Sequence, residues 1–232
     1  MKKINLLLKA VIFDMDGVIT NTMPDHFWAW KRVFSDEGIH VTHDDIYSRE
    51  GEKGMISVRE LFSKYGKRCS PAKRKFILEN KEKLFKTLVK QRFIPGSWSF
   101  LAYLKKNRFE LGLVTGTSRD ELHKILPKNI YELFSVSVTG TDVRHGKPHP
   151  EPYLKALKSL RIRPQDAVVL ENAPFGIQSA KSAGLKCFAL ETSLSREFLK
   201  EADQIFSSIK ELRTRVNFIF NGYETKKNSA VI

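Results

Sequence analysis

Four short apolar runs, Ala10 to Phe13, Gly112 to Val114, Ala167 to Leu170 and Cys187 to Leu190, each give way to a polar or glycine-containing turn. Apolar runs of this length without alternation mark strands buried on both faces, the situation of a parallel sheet covered by helices. The pattern predicts an α/β chain with a doubly wound parallel sheet. Between the first and second runs lie roughly 80 residues with helical periodicity and no strand signal, far beyond the 2 to 6 residues of an ordinary βα loop. An inserted helical domain over residues 23–93 is therefore expected, within a core formed by 1–22 and 94–220.

Local signals set the boundaries. Thr22 followed by Pro24 reads as a helix cap and first turn, with Phe27, Trp30, Val33 and Phe34 on one stripe before Gly38. Ser70-Pro71 opens a second long helix to about Leu88, and Ile94-Pro95-Gly96 reads as the return hinge. The three tryptophans, Trp28, Trp30 and Trp98, fall at helical spacing and are expected to pack inside or between domains. Residues 221–232, rich in Gly, Asn, Lys and Ser, are expected to fray.

With 232 residues, 41% of them apolar, the chain can bury a substantial core. No run approaches the roughly 18 apolar residues of a membrane span, and Leu6 to Leu8 is too short for a signal-peptide core, so a cytoplasmic protein without a membrane partner is expected. Cys69 and Cys187 stand far apart outside any metal-binding spacing, which argues against a disulfide framework or zinc site. The net charge is +14, and +10 of it lies between Lys53 and Arg92, where 13 basic residues meet only Glu60, Glu79 and Glu82. This basic run lacks interleaved aromatics and any base-reading motif, so a small anionic substrate is expected rather than nucleic acid. Lys81, one of the 13, is read as a solvated charge. A monomer is the expected state.

The chemistry begins where the first strand ends. Val11-Ile12-Phe13-Asp14-Met15-Asp16-Gly17-Val18 places two carboxylates at i and i+2 on the carboxyl edge, where open α/β sheets bind ligands. One Asp can act as nucleophile and form an acyl-phosphate, while the second protonates the leaving oxygen and later activates water. Asp16-Gly17 is also a common turn dipeptide.

Asp14-Met15-Asp16-Gly17-Val18 resembles the first motif of the haloacid dehalogenase superfamily, in its phosphatase and phosphomutase branch. Leu113-Val114-Thr115-Gly116-Thr117 resembles the second, Gly146-Lys147-Pro148 the third, and Val168-Val169-Leu170-Glu171-Asn172 with Gly176 and Gly184 the fourth. The resemblance implies a Rossmann-like doubly wound sheet with an inserted α-helical cap, and an aspartyl-phosphate mechanism with Asp14 as nucleophile and Asp16 as acid and base. It also implies that Thr115 and Lys147 contact the transferring phosphoryl group, with Gly116 and Thr117 beside them. A Mg²⁺ ion would be held by Asp14, the Asp16 carbonyl, Glu171 and Asn172. Asn172 stands where an Asp is common, so the site has one fewer anion and is expected to bind metal more weakly.

Residues 17–31 and the helical insert are most similar to the β-phosphoglucomutase-like subfamily, where the residues matching Thr22 and His26 lie near the general acid and orient it. The mutases carry a cap Arg three residues after a Gly; counting from Gly51 reaches Gly54, with Lys53 and Arg59 nearby. A phosphatase acting on a small phosphorylated metabolite, a sugar phosphate by resemblance, is therefore expected ahead of a phosphosugar mutase. A binding module on the same scaffold, taking anions or nucleic acid without catalysis, is the non-enzymatic alternative, and the intact Asp14 and Asp16 stand against it.

Overall fold

The computed structural model describes residues 3–222, so most of the segment expected to fray lies outside the described residues. Its strands are β1 (Ile4–Leu8), β2 (Ala10–Phe13), β3 (Glu110–Val114), β4 (Val136–Val138), β5 (Ala167–Glu171), β6 (Lys186–Leu190), β7 (Gln204–Phe206) and β8 (Val216–Phe220). Helices α1 (Met23–Ser35), α2 (His43–Tyr47), α3 (Gly54–Lys64) and α4 (Pro71–Leu88) all lie between β2 and β3, ahead of α5 (Ser97–Lys106). The remaining helices are α6 (Arg119–Ile125), α7 (Lys128–Tyr131), α8 (Glu151–Leu160), α9 (Pro174–Ser182) and α10 (Ile209–Arg215).

Six strands form one sheet in the order β4-β3-β2-β5-β6-β7, every neighbouring pair parallel. β2 lies between β3 and β5, with Ile12 opposite Gly112 on one side and Val169 on the other. The side chains of β2 alternate between two cores. Val11 and Phe13 join Phe100, Leu111 and Leu170, while Ala10 and Ile12 join Tyr153, Leu157 and Ile177. That double burial is why the run carries no polar residue before Asp14. The chain runs outward from β2 through β3 to β4 and then crosses back to β5 on the other side of β2, so the carboxyl end of β2 is a topological switch point.

The helices between β2 and α5 have an apolar cluster of their own, in which Phe27, Trp30, Val33 and Phe34 of α1 meet Val58, Leu61 and Phe62 of α3 and Ile77 of α4. α4 begins where the sequence places it, with Ser70 Oγ accepting from Lys73 N at 3.2 Å and Pro71 in the first turn. The chain re-enters the core beside its point of departure: Ile94 N donates to Ile19 O at 2.9 Å, and Arg92 grips the Asp25 carboxylate with distances of 2.8 and 2.7 Å. Only Trp30 of the three tryptophans is buried; Trp28 and Trp98 are about half exposed, contrary to the packing role expected of them.

β1 and β8 were not anticipated. They form a separate parallel pair, Ile4 opposite Val216 through Leu8 opposite Phe220, with Leu6, Leu8, Val216 and Phe218 turned into the core. Among the described residues no helix is long and apolar enough to cross a membrane.

Candidate active site

Asp14 follows β2 directly, and its N–H donates to Leu170 O of β5 at 3.0 Å, which fixes the carboxylate at the sheet edge. Both Asp14 and Asp16 are completely buried. Lys147, also buried, sends its ammonium to Asp14 Oδ1 at 2.6 Å, to Glu171 Oε1 at 2.6 Å and to Val114 O at 3.3 Å, so all three donors are used. Tyr153, on α8, donates its hydroxyl to the same Glu171 Oε1 at 2.7 Å. Glu171 Oε2 accepts from Asn172 N at 2.9 Å.

These contacts determine the charges. Burial works against the Lys147 ammonium, but Asp14 and Glu171 outweigh it and raise its pKa. Burial is also the largest influence on Asp14 and drives its carboxyl well above the ordinary range; Lys147 opposes this, and Glu171, Glu50 and Asp16 add to it.

Asp16 sits among donors instead. Thr22 donates its hydroxyl to Oδ1, while Thr115 and Thr117 donate theirs to Oδ2 at 3.2 and 3.1 Å. His26 Nε2 lies 3.5 Å from Oδ1. Burial alone would raise the Asp16 carboxyl, yet His26, Thr22 and Thr117 together hold it below its usual range. One expectation changes here: Thr22 precedes α1 but makes no side-chain cap bond, its hydroxyl being committed to Asp16. The Thr115 hydroxyl also faces Asp16.

Behind His26 stands Lys81, and here the sequence reading is corrected. Lys81 is buried on α4, with its ammonium 3.1 Å from His26 Nδ1 and above the rings of Phe85 and Trp30 at 4.7 and 5.3 Å. Burial lowers its pKa, against the pull of Glu121, Glu50 and Asp16. The ammonium can only donate, so His26 Nδ1 accepts and its Nε2–H points to Asp16. Phe85 stacks on the His26 ring with centroids 4.0 Å apart.

A cavity of about 270 Å³ lies between the helical insert and the sheet, lined by His26, Arg49, Glu50, Lys53, Lys81 and Thr117 among others. Of the 13 basic residues between Lys53 and Arg92, only Lys53 and Lys81 line it. Arg59 turns outward to Glu60 at 2.7 Å, and Lys53 Nζ is tied to Val143 O at 2.8 Å. Arg49 and Glu50, which the sequence did not single out, contribute an ion-paired cation and a carboxylate to the wall, Arg49 meeting Glu52 at 2.9 Å. Burial raises the Glu50 carboxyl, Asp16 adds to that rise, and His26, Lys147 and Lys81 oppose it.

The loop between α2 and α3 closes over Lys147 and the end of β3. Gly51 has φ +79°, and a Cβ there would fall 2.3 Å from Lys147 Cδ. A Cβ on Gly116 would meet Gly51 Cα at 2.8 Å, so Gly116 serves here as the seat of the cap loop. Gly116→Ala is expected to displace that loop and raise KM for a phosphate ester about 10-fold with a smaller change in kcat, read by steady-state kinetics.

Among the described residues, two of the buried side-chain oxygens without a hydrogen-bond partner belong to this cluster, Asp14 Oδ2 and Asn172 Oδ1. Asn172 Nδ2 donates to Ser193 Oγ at 2.8 Å, which leaves the carbonyl oxygen available. Of the three buried carboxylates Asp14, Asp16 and Glu171, the first and last share the Lys147 ammonium, while Asp16 has hydroxyls and His26 around it. Unpartnered oxygens and excess negative charge of this kind suit a hard divalent cation such as Mg²⁺.

A doubly wound sheet with paired carboxylates at its switch point, and an ammonium beside them, defines a phosphoryl-transfer scaffold. The chain belongs to the family described as haloacid dehalogenase-like hydrolase, whose profile matches residues 11–190. It is 34% identical over 186 residues to a phosphorylated carbohydrates phosphatase of Thermotoga maritima, covering 77% of this chain and 83% of that protein. It is also 30% identical to a beta-phosphoglucomutase of Bacillus subtilis, covering 77% of this chain and 81% of the relative. A crystal structure of beta-phosphoglucomutase from Clostridium difficile superposes with a TM-score of 0.78 at 26% identity, covering 90% of this chain and 97% of the other. The fold is thus the Rossmann-like fold of β-phosphoglucomutase-like proteins, and the family is one of phosphatases and phosphomutases.

Proposed function

We propose that this protein is a Mg²⁺-dependent phosphatase that hydrolyses a small phosphorylated metabolite, by likeness to its relatives a sugar phosphate, through an aspartyl-phosphate on Asp14. The observation that carries the reading is the unequal setting of the two carboxylates. Asp14 is held by one ammonium and keeps Oδ2 unpartnered, whereas Asp16 is ringed by three hydroxyls and an imidazole.

In the first step an Asp14 oxygen attacks phosphorus, the ester P–O bond breaks, and Asp16 gives its proton to the departing alkoxide. In the second, water attacks the aspartyl-phosphate, Asp16 takes the proton from that water, and inorganic phosphate leaves with Asp14 regenerated. The donors around Asp16 favour the carboxylate that the second step needs; the negative charge of a bound phosphate ester acts in the opposite sense and favours the protonated form the first step needs. Lys147 balances charge at Asp14 throughout. Mg²⁺, held by Asp14, the Asp16 carbonyl, Glu171 and Asn172, would supply positive charge to the phosphoryl oxygens. Because Asp14 and Asp16 are fully covered, turnover requires the Gly51 loop to withdraw and return with each substrate.

Hydrolysis is favoured over mutation by the wall of the cavity. Position 54 carries no side chain, a Cβ there would fall 2.4 Å from Leu78 Cδ1 and displace it, and Arg59 points away. Glu50 places a carboxyl on the cavity wall, and the one cavity-lining arginine, Arg49, is paired with Glu52.

The test is Mg²⁺-dependent release of p-nitrophenol from p-nitrophenyl phosphate, with EDTA as control, followed by a panel of sugar and polyol phosphates. Phosphate release that EDTA abolishes supports the reading. Conversion of β-glucose 1-phosphate to glucose 6-phosphate in the presence of its bisphosphate, without net phosphate release, would assign the mutase reaction instead. Asn172→Asp should lower the Mg²⁺ concentration for half-maximal rate about 10-fold, because it adds a carboxylate at a vacant oxygen position. An unchanged Mg²⁺ dependence would remove Asn172 from the metal set.

A further inference from the structure

Outside the catalytic cluster, His145, His149 and Glu151 surround the loop that carries Lys147, and one ligand atom from each lies within 4.8 Å of the others. We propose that these three side chains form a second cation site, selective for a borderline transition-metal ion such as Zn²⁺. Nothing in the proposed hydrolysis requires it.

Three observations carry this assignment. The first is preorganisation. Glu151 Oε1 accepts from Arg144 N at 2.6 Å and Oε2 from His145 N at 2.9 Å, so the carboxylate is fixed by the backbone of the same loop. Those bonds, Arg144 N foremost, also hold its carboxyl down at about 2, leaving it ionised at neutral pH. His149 Nδ1 accepts from Glu151 N at 3.1 Å, and the His149 carbonyl accepts from Ser179 Oγ at 2.6 Å, anchoring the loop to α9.

The second is spacing. His145 Nδ1 and Glu151 Oε2 are 2.9 Å apart, and the two imidazole rings lie with centroids 4.6 Å apart. Two adjacent ligands on one ion at about 2.0–2.1 Å from each are themselves separated by about 3 Å, so an ion can replace the proton now shared by that pair. For a neutral His145 that proton moves to Nε2; for a charged one it is released to solvent.

The third is donor type. Two imidazoles and one carboxylate form a set that suits Zn²⁺, Cu²⁺ or Ni²⁺ and is poor for Mg²⁺, which prefers oxygen. The side chains of His145 and Glu151 are 52% and 29% exposed, open to ions from solvent and to the waters that would complete the coordination. The two sites therefore divide by chemistry: a buried oxygen site for Mg²⁺ and a surface nitrogen-rich site four residues or fewer along the chain from Lys147.

The experiment is calorimetric titration of Zn²⁺ into the full chain in saturating Mg²⁺, comparing the wild type with His145→Gln, His149→Gln and the double variant. Electron paramagnetic resonance of the Cu²⁺-loaded proteins gives a second readout, and circular dichroism checks folding. One Zn²⁺ per chain is expected, with binding at least about 10-fold weaker in each single variant and lost in the double. The Cu²⁺ spectrum should show coupling to two imidazole nitrogens in the wild type and one in each single variant. Equal Zn²⁺ binding by the wild type and the double variant, or no binding by the wild type, overturns the proposal. Mg²⁺ turnover retained in the double variant would show that loss of Zn²⁺ did not come from collapse of the Lys147 loop.

Discussion

Asp14→Asn should fold and fail to turn over, with phosphatase activity down by at least about 10⁴-fold, since an amide cannot form the acyl-phosphate and little rate remains without a nucleophile. Stability should change little, because the substitution removes a buried charge whose protonation burial already favours, and Lys147 keeps its contact with Glu171. Acid-quenched protein should contain phosphoaspartate after mixing wild type with substrate and none in the variant. A variant that keeps a tenth of wild-type turnover would place the nucleophile elsewhere.

The second large effect is expected at Lys147, and there stability and turnover should fall together. Lys147→Ala leaves two fully buried carboxylates, Asp14 and Glu171, without their shared ammonium. Removing one partner of a buried charge cluster costs about 3–5 kcal/mol, and loss of the charge opposite the phosphoryl group should cost a further ~10²–10³ in kcat. The pH dependence has a definite sign. The Asp14 pKa is already raised in the folded protein and rises further without Lys147, and a group raised above its unfolded value contributes stability at low pH that is lost as pH climbs through the folded value. The melting-temperature deficit of the variant should therefore be largest at neutral pH and shrink towards pH ~4, the ordinary range of an aspartyl carboxyl. Added Mg²⁺ should also narrow it at neutral pH. A deficit independent of both would mean that Lys147 acts through packing alone.

How far these features could be read from the sequence varies by residue. The strand ends were legible because each apolar run stops abruptly at a residue that chemistry can use, and Asp14, Asp16, Thr115, Lys147 and Glu171 do converge at one edge of the sheet. Lys81 was hidden by its neighbours, being one buried ammonium in a run of exposed ones. The signal was nonetheless present in the helical register, since Ile77, Lys81 and Phe85 fall at i, i+4 and i+8 and are the buried residues of α4. Tyr153 looks like any core aromatic in the first turns of a helix; only the position of Glu171, 18 residues later, makes its hydroxyl a partner. Thr22 carried two readings, a helix cap or a partner of Asp16, and its single hydroxyl is taken by the carboxylate.

The terminal strands were illegible for a different reason. β1 and β8 show the period-two pattern, Leu6 and Leu8 against Val216 and Phe218, but each is too short to be convincing alone, and the pairing spans 212 residues between Asn5 and Asn217. That pairing also sets a schedule for biosynthesis. Ile4 to Leu8 leaves the ribosome ahead of the other strands of this domain, yet the strand beside it is made more than two hundred residues later, so an apolar ribbon waits uncovered while the rest of the core assembles. The domain is thus clasped last, when its final strand reaches its first. A message cut short before residue 216 would release a chain with that ribbon bare, the kind of edge that quality control recognises and other chains adhere to.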